Sequence, residues 1–171
     1  MSKRDLKKYL SELDQEQLEE QIITLYDKFK DVKVYYDFVF NPNENNLAKD
    51  AKLKISNEYF PIRGKKPKMR RSVAQKFIKH FLSLGVDPYI IVDIMLFNIE
   101  IAQSLSAERV IKQELFFKSM LSSFQQAISY MIEIGILNEF YERILAIKEE
   151  TTTQDWFNKY EFNAIVERFE Y

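Results

Sequence analysis

The stretch PYIIVDIMLFNIEIAQSL, Pro88 to Leu105, is apolar almost all the way round a helix. Only Asp93 and Glu100 interrupt it with charge. Helices that are hydrophobic on every side are normally buried at the centre of a protein. Asp87 and Pro88 are a favourable pair for the N-cap and first helical positions, so they mark where this helix begins. We therefore expect other helices to pack around it.

The rest of the chain has the composition of a helical protein. Of its 171 residues, 46% are hydrophobic, whereas only 3 are Gly and 4 are Pro. Sheets need turns, and turns are rich in these two residue types. We predict an all-α fold, a single compact domain of about eight to nine helices. Stacked helical hairpins are one architecture that this pattern allows.

The predicted domain, residues 1–171, has three parts. Helices occupy residues 1–58, a basic turn occupies residues 59–72, and a helical core occupies residues 73–171. Residues 31–40 alternate apolar and polar side chains as a strand does, but they also fit a helix. We interpret them as a helix because the chain contains no convincing partner strand.

Capping residues mark the expected helix ends. Asp14 with Gln17 has the spacing of a capping box, and so does Ser72 with Gln75. Gly85 is a typical residue just after the end of a helix. These signals place one helix start after Asp14 and another after Ser72.

The C-terminal third is expected to continue as helix. Ser106 is the expected cap of a long helix that ends at Gly135. A helix over residues 137–148, a loop at residues 151–153 and a last helix over residues 154–169 follow in the predicted order.

Charge is unevenly distributed, although the net charge is only −1. Residues 59–86 carry eight basic and no acidic side chains, whereas residues 87–171 carry seven basic and fourteen acidic ones. The cations of the first segment are the candidate residues for binding a polyanion or a partner. They are Arg63, Lys65, Lys66, Lys68, Arg70, Arg71, Lys76 and Lys79.

Three interpretations of this basic stretch stay open. In the first it binds phosphate, because Arg70 and Arg71 flank the helix start expected at Ser72, and helix N-termini favour anions. Lysines on the preceding turn would then follow a nucleic-acid backbone. In the second it docks on the acidic half of this chain or of a second copy. In the third it is a solvated connector between helices.

An enzymatic alternative rests on the carboxylates of Asp93 and Glu100, which share a helix face, and on His80, the single histidine. Acid–base chemistry or a metal site would need further groups from other helices. Helical carboxylates are usually solvated or paired, so we expect these two to be paired. The expected partners are Arg109, Arg143 or Lys112. We predict no catalytic residue, no metal site and no cofactor.

The cellular setting is constrained by what the sequence lacks. It contains no Cys, which removes disulfides, thiolate nucleophiles and cysteine zinc sites. The N-terminal segment MSKRDLKKYLSELD has no apolar signal-peptide core. No apolar run is expected to reach the ~18 residues of a membrane span. We predict a cytoplasmic protein without membrane contact.

Two segments carry a family resemblance, LSELDQEQLEEQIITLYDKFKDVKVYYDFVFNPNENN and YFPIRGKKPKMRRSVAQKFIKHF. Their shared features are a Leu/Glu-rich helix, a stop at Phe40–Pro42 and an entry at Tyr59–Pro61 into a basic turn. The segments resemble an uncharacterised family of small all-helical proteins, with a domain of unknown function, from Bacteroidota-type bacteria. The resemblance covers residues 8–82. It implies an all-α fold and a bacterial cytosolic setting, and it supplies no catalytic residue.

The function that we predict is a non-enzymatic helical module for protein interaction, which uses the basic loop and the following helix, Arg63–Lys79. Its partner would be another protein or a second copy of the chain. Two alternatives stay open: nucleic-acid or other polyanion binding through the same residues, and an enzyme that uses Asp93 and Glu100.

Overall fold

A computed structural model describes residues 2–62 and 65–169. All regular secondary structure in those residues is helical, so the all-α prediction is confirmed. Within the described ranges there are nine α-helices and a short 3₁₀ turn at Asn138–Phe140. The α-helices are α1 (Lys3–Ser11), α2 (Gln15–Lys28), α3 (Lys30–Phe40), α4 (Glu44–Tyr59), α5 (Arg71–Leu84), α6 (Pro88–Glu108), α7 (Glu114–Ile134), α8 (Tyr141–Thr153) and α9 (Lys159–Val166).

The helices form two compact units, residues 1–43 and residues 44–171, which we call the N-terminal unit and the core unit. The N-terminal unit contains α1, α2 and α3, with α2 packed on α3. The core unit contains α4 to α9. The organisation as a single domain stays a prediction.

The predicted central helix, α6, is the centre of the core unit. It packs against α4, α5, α7 and α8. Val92, Leu96 and Ile99 are each 0% exposed, and burying an aliphatic side chain of this size stabilises a protein by about 1.5–3 kcal/mol. The helix begins where the sequence indicates, because the Asp87 side chain accepts a hydrogen bond from the Tyr89 N–H at 2.8 Å.

Helix α6 also has a length and composition that would allow it to cross a membrane, the one such helix among the described residues. Its most apolar window has a mean hydropathy of 1.5, and 56% of that window is buried inside the structure. The expectation that no apolar run is long enough is therefore wrong, because Asp93 and Glu100 are too few to lower the hydropathy. The core helix of a soluble protein has the same properties, and the cytoplasmic location stays a prediction.

Aromatic rings join α7 to the C-terminal end of the core unit. Trp156 is 2% exposed, and its ring lies edge-on to the rings of Phe116, Phe117 and Phe162. The rings of Phe124 and Phe162, both 0% exposed, lie 5.0 Å apart. Trp156 and Phe162 are therefore core, whereas Phe157 and Tyr160 are exposed.

Tyr59, Asn98 and Gln103 are buried polar residues of the core unit that have specific hydrogen-bond partners. The Tyr59 hydroxyl donates a hydrogen bond to Asn98 Oδ1 at 3.0 Å, which joins α4 to α6. Burial raises the pKa of Tyr59, so the hydroxyl keeps its proton. Gln103 Nε2 donates to the Ile147 carbonyl at 2.8 Å and joins α6 to α8. These bonds fix which face of α6 meets each neighbour.

Several predicted helix ends are confirmed. Asp14 and Gln17 form the capping box in both directions, side chain to backbone. Gly85 and Gly135 adopt the left-handed conformation, with φ of +73° and +74°, which favours glycine at a helix end. Residues 31–40 are helical within α3.

Two predicted caps are wrong. Ser72 lies inside the first turn of α5, and Arg70 holds the N-cap position without a side-chain hydrogen bond to the helix. Ser106 lies inside α6, which continues to Glu108. The Ser106 hydroxyl oxygen instead accepts a hydrogen bond from Trp156 Nε1 at 3.1 Å. Ser106 therefore contributes to packing against Trp156 and does not cap a helix.

The last helix is shorter than predicted. Residues 151–153 form the end of α8 and not a loop. Asp155 has a φ of +52°, a left-handed conformation that interrupts a helix. α9 therefore begins only at Lys159, after a turn that carries Trp156 into the core.

Phe124→Ala is expected to lower the free energy of unfolding by about 3–5 kcal/mol, because it removes a fully buried ring and leaves a cavity. Leu115→Ala on the same helix is the matched control. Its side chain is 79% exposed, so the change should stay within about 0.5 kcal/mol. Urea unfolding followed by circular dichroism measures both. Equal effects would contradict the assignment of the core.

Candidate functional site

The connection between α4 and α5 contains the basic loop, which we define as residues 61–69. The Glu58 carbonyl accepts hydrogen bonds from the N–H groups of Lys68 at 2.9 Å and Met69 at 3.0 Å. Met69 adopts a left-handed φ of +52°, which is costly for a non-glycine residue. The loop therefore closes back on the end of α4.

The same residue, Glu58, also anchors the far side of the loop through its carboxylate. Arg70 donates two hydrogen bonds to it, from Nε and Nη2, each at 2.8 Å. This fork geometry is the strong form of a charged hydrogen bond. The hydrogen bonds from Arg70 hold the pKa of Glu58 below its ordinary value. Glu58 thus holds the loop through both its backbone carbonyl and its side-chain carboxylate.

Arg71 is held by α7 of the core unit. Its Nε donates to Ser123 Oγ at 2.7 Å, and its Nη2 donates to Gln126 Oε1 at 3.1 Å. Burial lowers the pKa of Arg71, and neither hydrogen-bond partner carries charge. Both arginines at the predicted anion site, Arg70 and Arg71, are therefore engaged within the chain.

The lysines of this region are placed differently. Lys65, Lys66 and Lys68, which we call the loop lysines, are exposed, and so are Lys76 and Lys79 on α5. Within residues 2–62 and 65–169, none of these five forms an ion pair with a carboxylate. Arg63 lies outside the described residues. Binding by any of these cations stays a prediction.

The loop lysines surround a cavity of about 260 Å³ with an apolar side. Pro61 and Ile62 contribute the apolar surface, and Asn57 and Glu58 on α4 complete the lining. Ile62 is 69% exposed. The cavity is open and cationic, and it contains one exposed aliphatic side chain.

Asp93 and Glu100 are brought together, as the sequence suggests, but a cation lies between them. Arg143 Nη1 contacts Asp93 Oδ1 at 2.8 Å, and Arg143 Nη2 contacts Glu100 Oε2 at 2.8 Å. Lys52 Nζ contacts the other oxygen of Asp93 at 2.6 Å. The predicted pairing with Arg143 is confirmed.

This charge cluster joins α4, α6 and α8. Burial lowers the pKa of Arg143, but hydrogen bonds and charge from Glu100 and Asp93 outweigh that effect, so the pKa is raised. His80 is exposed on α5, and none of the hydrogen bonds or ion pairs among the described residues involves its ring. No group of three His, Asp or Glu side chains in the described part of the chain could hold a metal ion. The cluster therefore has the geometry of an ion-pair network that holds α4, α6 and α8 together.

Glu58 is the residue that sequence reasoning missed. It is the last acidic side chain before the cations of the basic stretch. A lone carboxylate at the edge of a segment without acidic residues is the natural partner for one of those cations. The position of Glu58 in the sequence could therefore have indicated this pairing.

The comparison with protein families adds one match, to a family of unknown function, DUF6155, over residues 1–170. The chain belongs to this family. No curated protein and no solved structure matches the chain. Membership of DUF6155 agrees with the resemblance to an uncharacterised family, and the bacterial origin stays a prediction.

Glu58→Gln tests how the basic loop is anchored. A carboxyl whose pKa is lowered by folding stabilises the folded state above its ordinary value of 4.5, and that contribution is lost as the pH falls through the lowered value. We therefore expect the variant to be less stable than wild type near pH 7, with the difference vanishing in acid. Urea unfolding at several pH values measures it. Glu142→Gln, at an exposed side chain, is the matched control and should be as stable as wild type near pH 7.

Arg143→Met tests the charge cluster. The variant leaves Asp93 and Glu100 without their shared cation, so we expect the free energy of unfolding to fall by about 2 kcal/mol. Arg109→Met removes an exposed arginine as a control and should have little effect. A loss of the same size in both variants, measured by thermal unfolding, would contradict the assigned role.

Proposed function

We propose that this protein is a non-enzymatic helical interaction module whose basic loop binds an acidic segment of a partner protein. One observation carries the proposal. The loop lysines are exposed without a carboxylate partner among the described residues, and they surround the exposed side chain of Ile62.

The anchoring of the loop supports a binding role. Glu58 closes the loop through two backbone hydrogen bonds and a forked contact with Arg70. A loop held in one conformation loses less entropy when it binds than a free one does. Lysines on such a loop attract an acidic partner and speed its association, with an effect that salt weakens.

An acidic protein suits this surface better than a nucleic acid does. Ile62 lines the same cavity as the loop lysines and offers an apolar contact, which suits an aliphatic or aromatic side chain of a peptide. Base stacking needs free aromatic rings. Tyr59 is buried, and the Lys54 ammonium lies 5.6 Å from the centre of the Phe77 ring.

Nucleic-acid binding is the second candidate, and the lysines of α5 favour it. Lys76 and Lys79 lie three residues apart and continue the positive charge along a helix. That arrangement would follow a phosphate backbone without reading sequence. The enzyme alternative has less support, because Arg143 occupies the carboxylates of Asp93 and Glu100.

The test is fluorescence anisotropy with two labelled probes, an acidic peptide that contains one leucine and a short DNA duplex of mixed sequence. We expect the peptide to bind at low salt. Replacing Lys65, Lys66 and Lys68 together by Ala should weaken binding about tenfold, because each exposed ion pair contributes about 0.2–1 kcal/mol. Ile62→Ser should weaken binding of the peptide and leave DNA unchanged.

The matched control replaces three exposed lysines elsewhere, Lys30, Lys49 and Lys112, by Ala. This control changes the net charge by the same amount as replacing the loop lysines does, so it should bind the peptide as wild type does. Binding of neither probe by the wild type would refute both candidates. Binding of DNA alone, lost with the loop lysines, would replace the first candidate by the second.

A further inference from the structure

The N-terminal unit has no buried side chain of its own. None of the residues of α1, α2 and α3 is buried, whereas every buried hydrophobic residue in the described chain lies between Ala51 and Val166. Large hydrophobic side chains of the unit are instead exposed. They are Leu6, Tyr9, Ile22, Ile23, Leu25, Phe29, Tyr35, Val39 and Phe40. Apolar exposure on this scale marks an interaction surface.

Helices α1 and α2 carry opposite charges. The cations of α1 are Lys3, Arg4, Lys7 and Lys8. The carboxylates in the N-terminal half of α2 are Glu16, Glu19 and Glu20. None of these seven side chains forms an ion pair within the described residues. The unit therefore presents a positive helix and a negative helix, neither of which is neutralised.

A groove of about 560 Å³ lies between α1 and α2. Tyr9, Leu13 and Leu25 give it apolar walls, and Glu20 lies at its edge. Gln21 Nε2 donates to the Tyr9 hydroxyl across it at 2.6 Å. Gln17, Glu20, Gln21 and Thr24 give the groove a polar side with one carboxylate. A groove with an apolar side and a polar side fits an amphipathic helix that carries cations beside its apolar face. We call it the acidic groove.

The chain itself contains such a helix in α1. Leu6, Tyr9 and Leu10 lie three and four residues apart, on one helical face. Lys3 and Lys7 lie beside that face, whereas Arg4 and Lys8 lie on the opposite side of the helix. A second copy of the chain thus offers both a helix for the acidic groove and an acidic groove for the helix.

We propose that two copies of this protein dimerise through their N-terminal units, with α1 of each copy seated in the acidic groove of the other. The contact is isologous, because each copy donates and receives the same element. Four helices then meet, with α1 beside α2 of the partner. Cations of one copy thereby become neighbours of carboxylates of the other.

Charge argues for this occupant over a membrane surface. An anionic bilayer would attract α1 but repel the carboxylates of α2. A second copy satisfies both helices at once. Size agrees as well, because a standard interface uses about 20–30 residues from each partner, and residues 2–43 are enough to supply them.

The test is a charge swap in the full-length protein, with the dimer measured by analytical ultracentrifugation. One variant reverses α1 by Lys3→Glu, Arg4→Glu, Lys7→Glu and Lys8→Glu. The other reverses α2 by Glu16→Lys, Glu19→Lys and Glu20→Lys. We expect wild type to dimerise and each variant to dissociate at least about tenfold more readily. An equimolar mixture of the two variants should restore a mixed dimer.

Controls separate this surface from other causes. Leu25→Ser, at a side chain of the acidic groove that is 44% exposed, should weaken the dimer, whereas Ile132→Ser, 56% exposed in the core unit, should not. Circular dichroism verifies that each variant is folded. A wild type that stays monomeric at every concentration would overturn the proposal, and so would a mixture that fails to restore the dimer. A dimer lost only when the loop lysines are replaced would assign self-association to the basic loop instead.

Discussion

Burial of α6 is the interaction on which the core unit depends. Its apolar side chains face four neighbouring helices, and no single neighbour could cover all of them. For two of these neighbours, α4 and α8, the buried hydrogen bonds of Asn98 and Gln103 fix the position against α6. Because hydrophobic burial is non-directional, these few bonds are what select one packing arrangement from several of similar area.

The same burial explains why the carboxylates of α6 are paired with a cation. Asp93 and Glu100 lie on the strip of the helix that faces α4 and α8, where water is partly excluded. A half-buried carboxylate needs a cation, and Arg143 can reach both with its planar fork. Lys52 neutralises what remains of the charge on Asp93. The charges are thereby used to join helices.

The helices and their glycine ends could be predicted from the sequence because their causes are local. Periodicity, the Asp14 capping box and the glycines at 85 and 135 act within a turn or two of helix. The role of Ser106 could not, since its partner Trp156 is distant in sequence. The same limit applies to the candidate site. Its cations could be identified in the sequence. That Arg70 and Arg71 are engaged within the chain while the lysines are exposed depends on contacts with Glu58 and α7.

That separation follows from the chemistry of the two cations. Arginine has a planar group with several donors in fixed directions, so Arg70 and Arg71 each satisfy two acceptors at once. Lysine is a strongly hydrated point charge on a flexible stem, and it gains little from a single partner within the chain. The loop lysines accordingly stay exposed to water. The basic loop and the N-terminal unit share this property, because each keeps its unpaired charge beside exposed apolar surface.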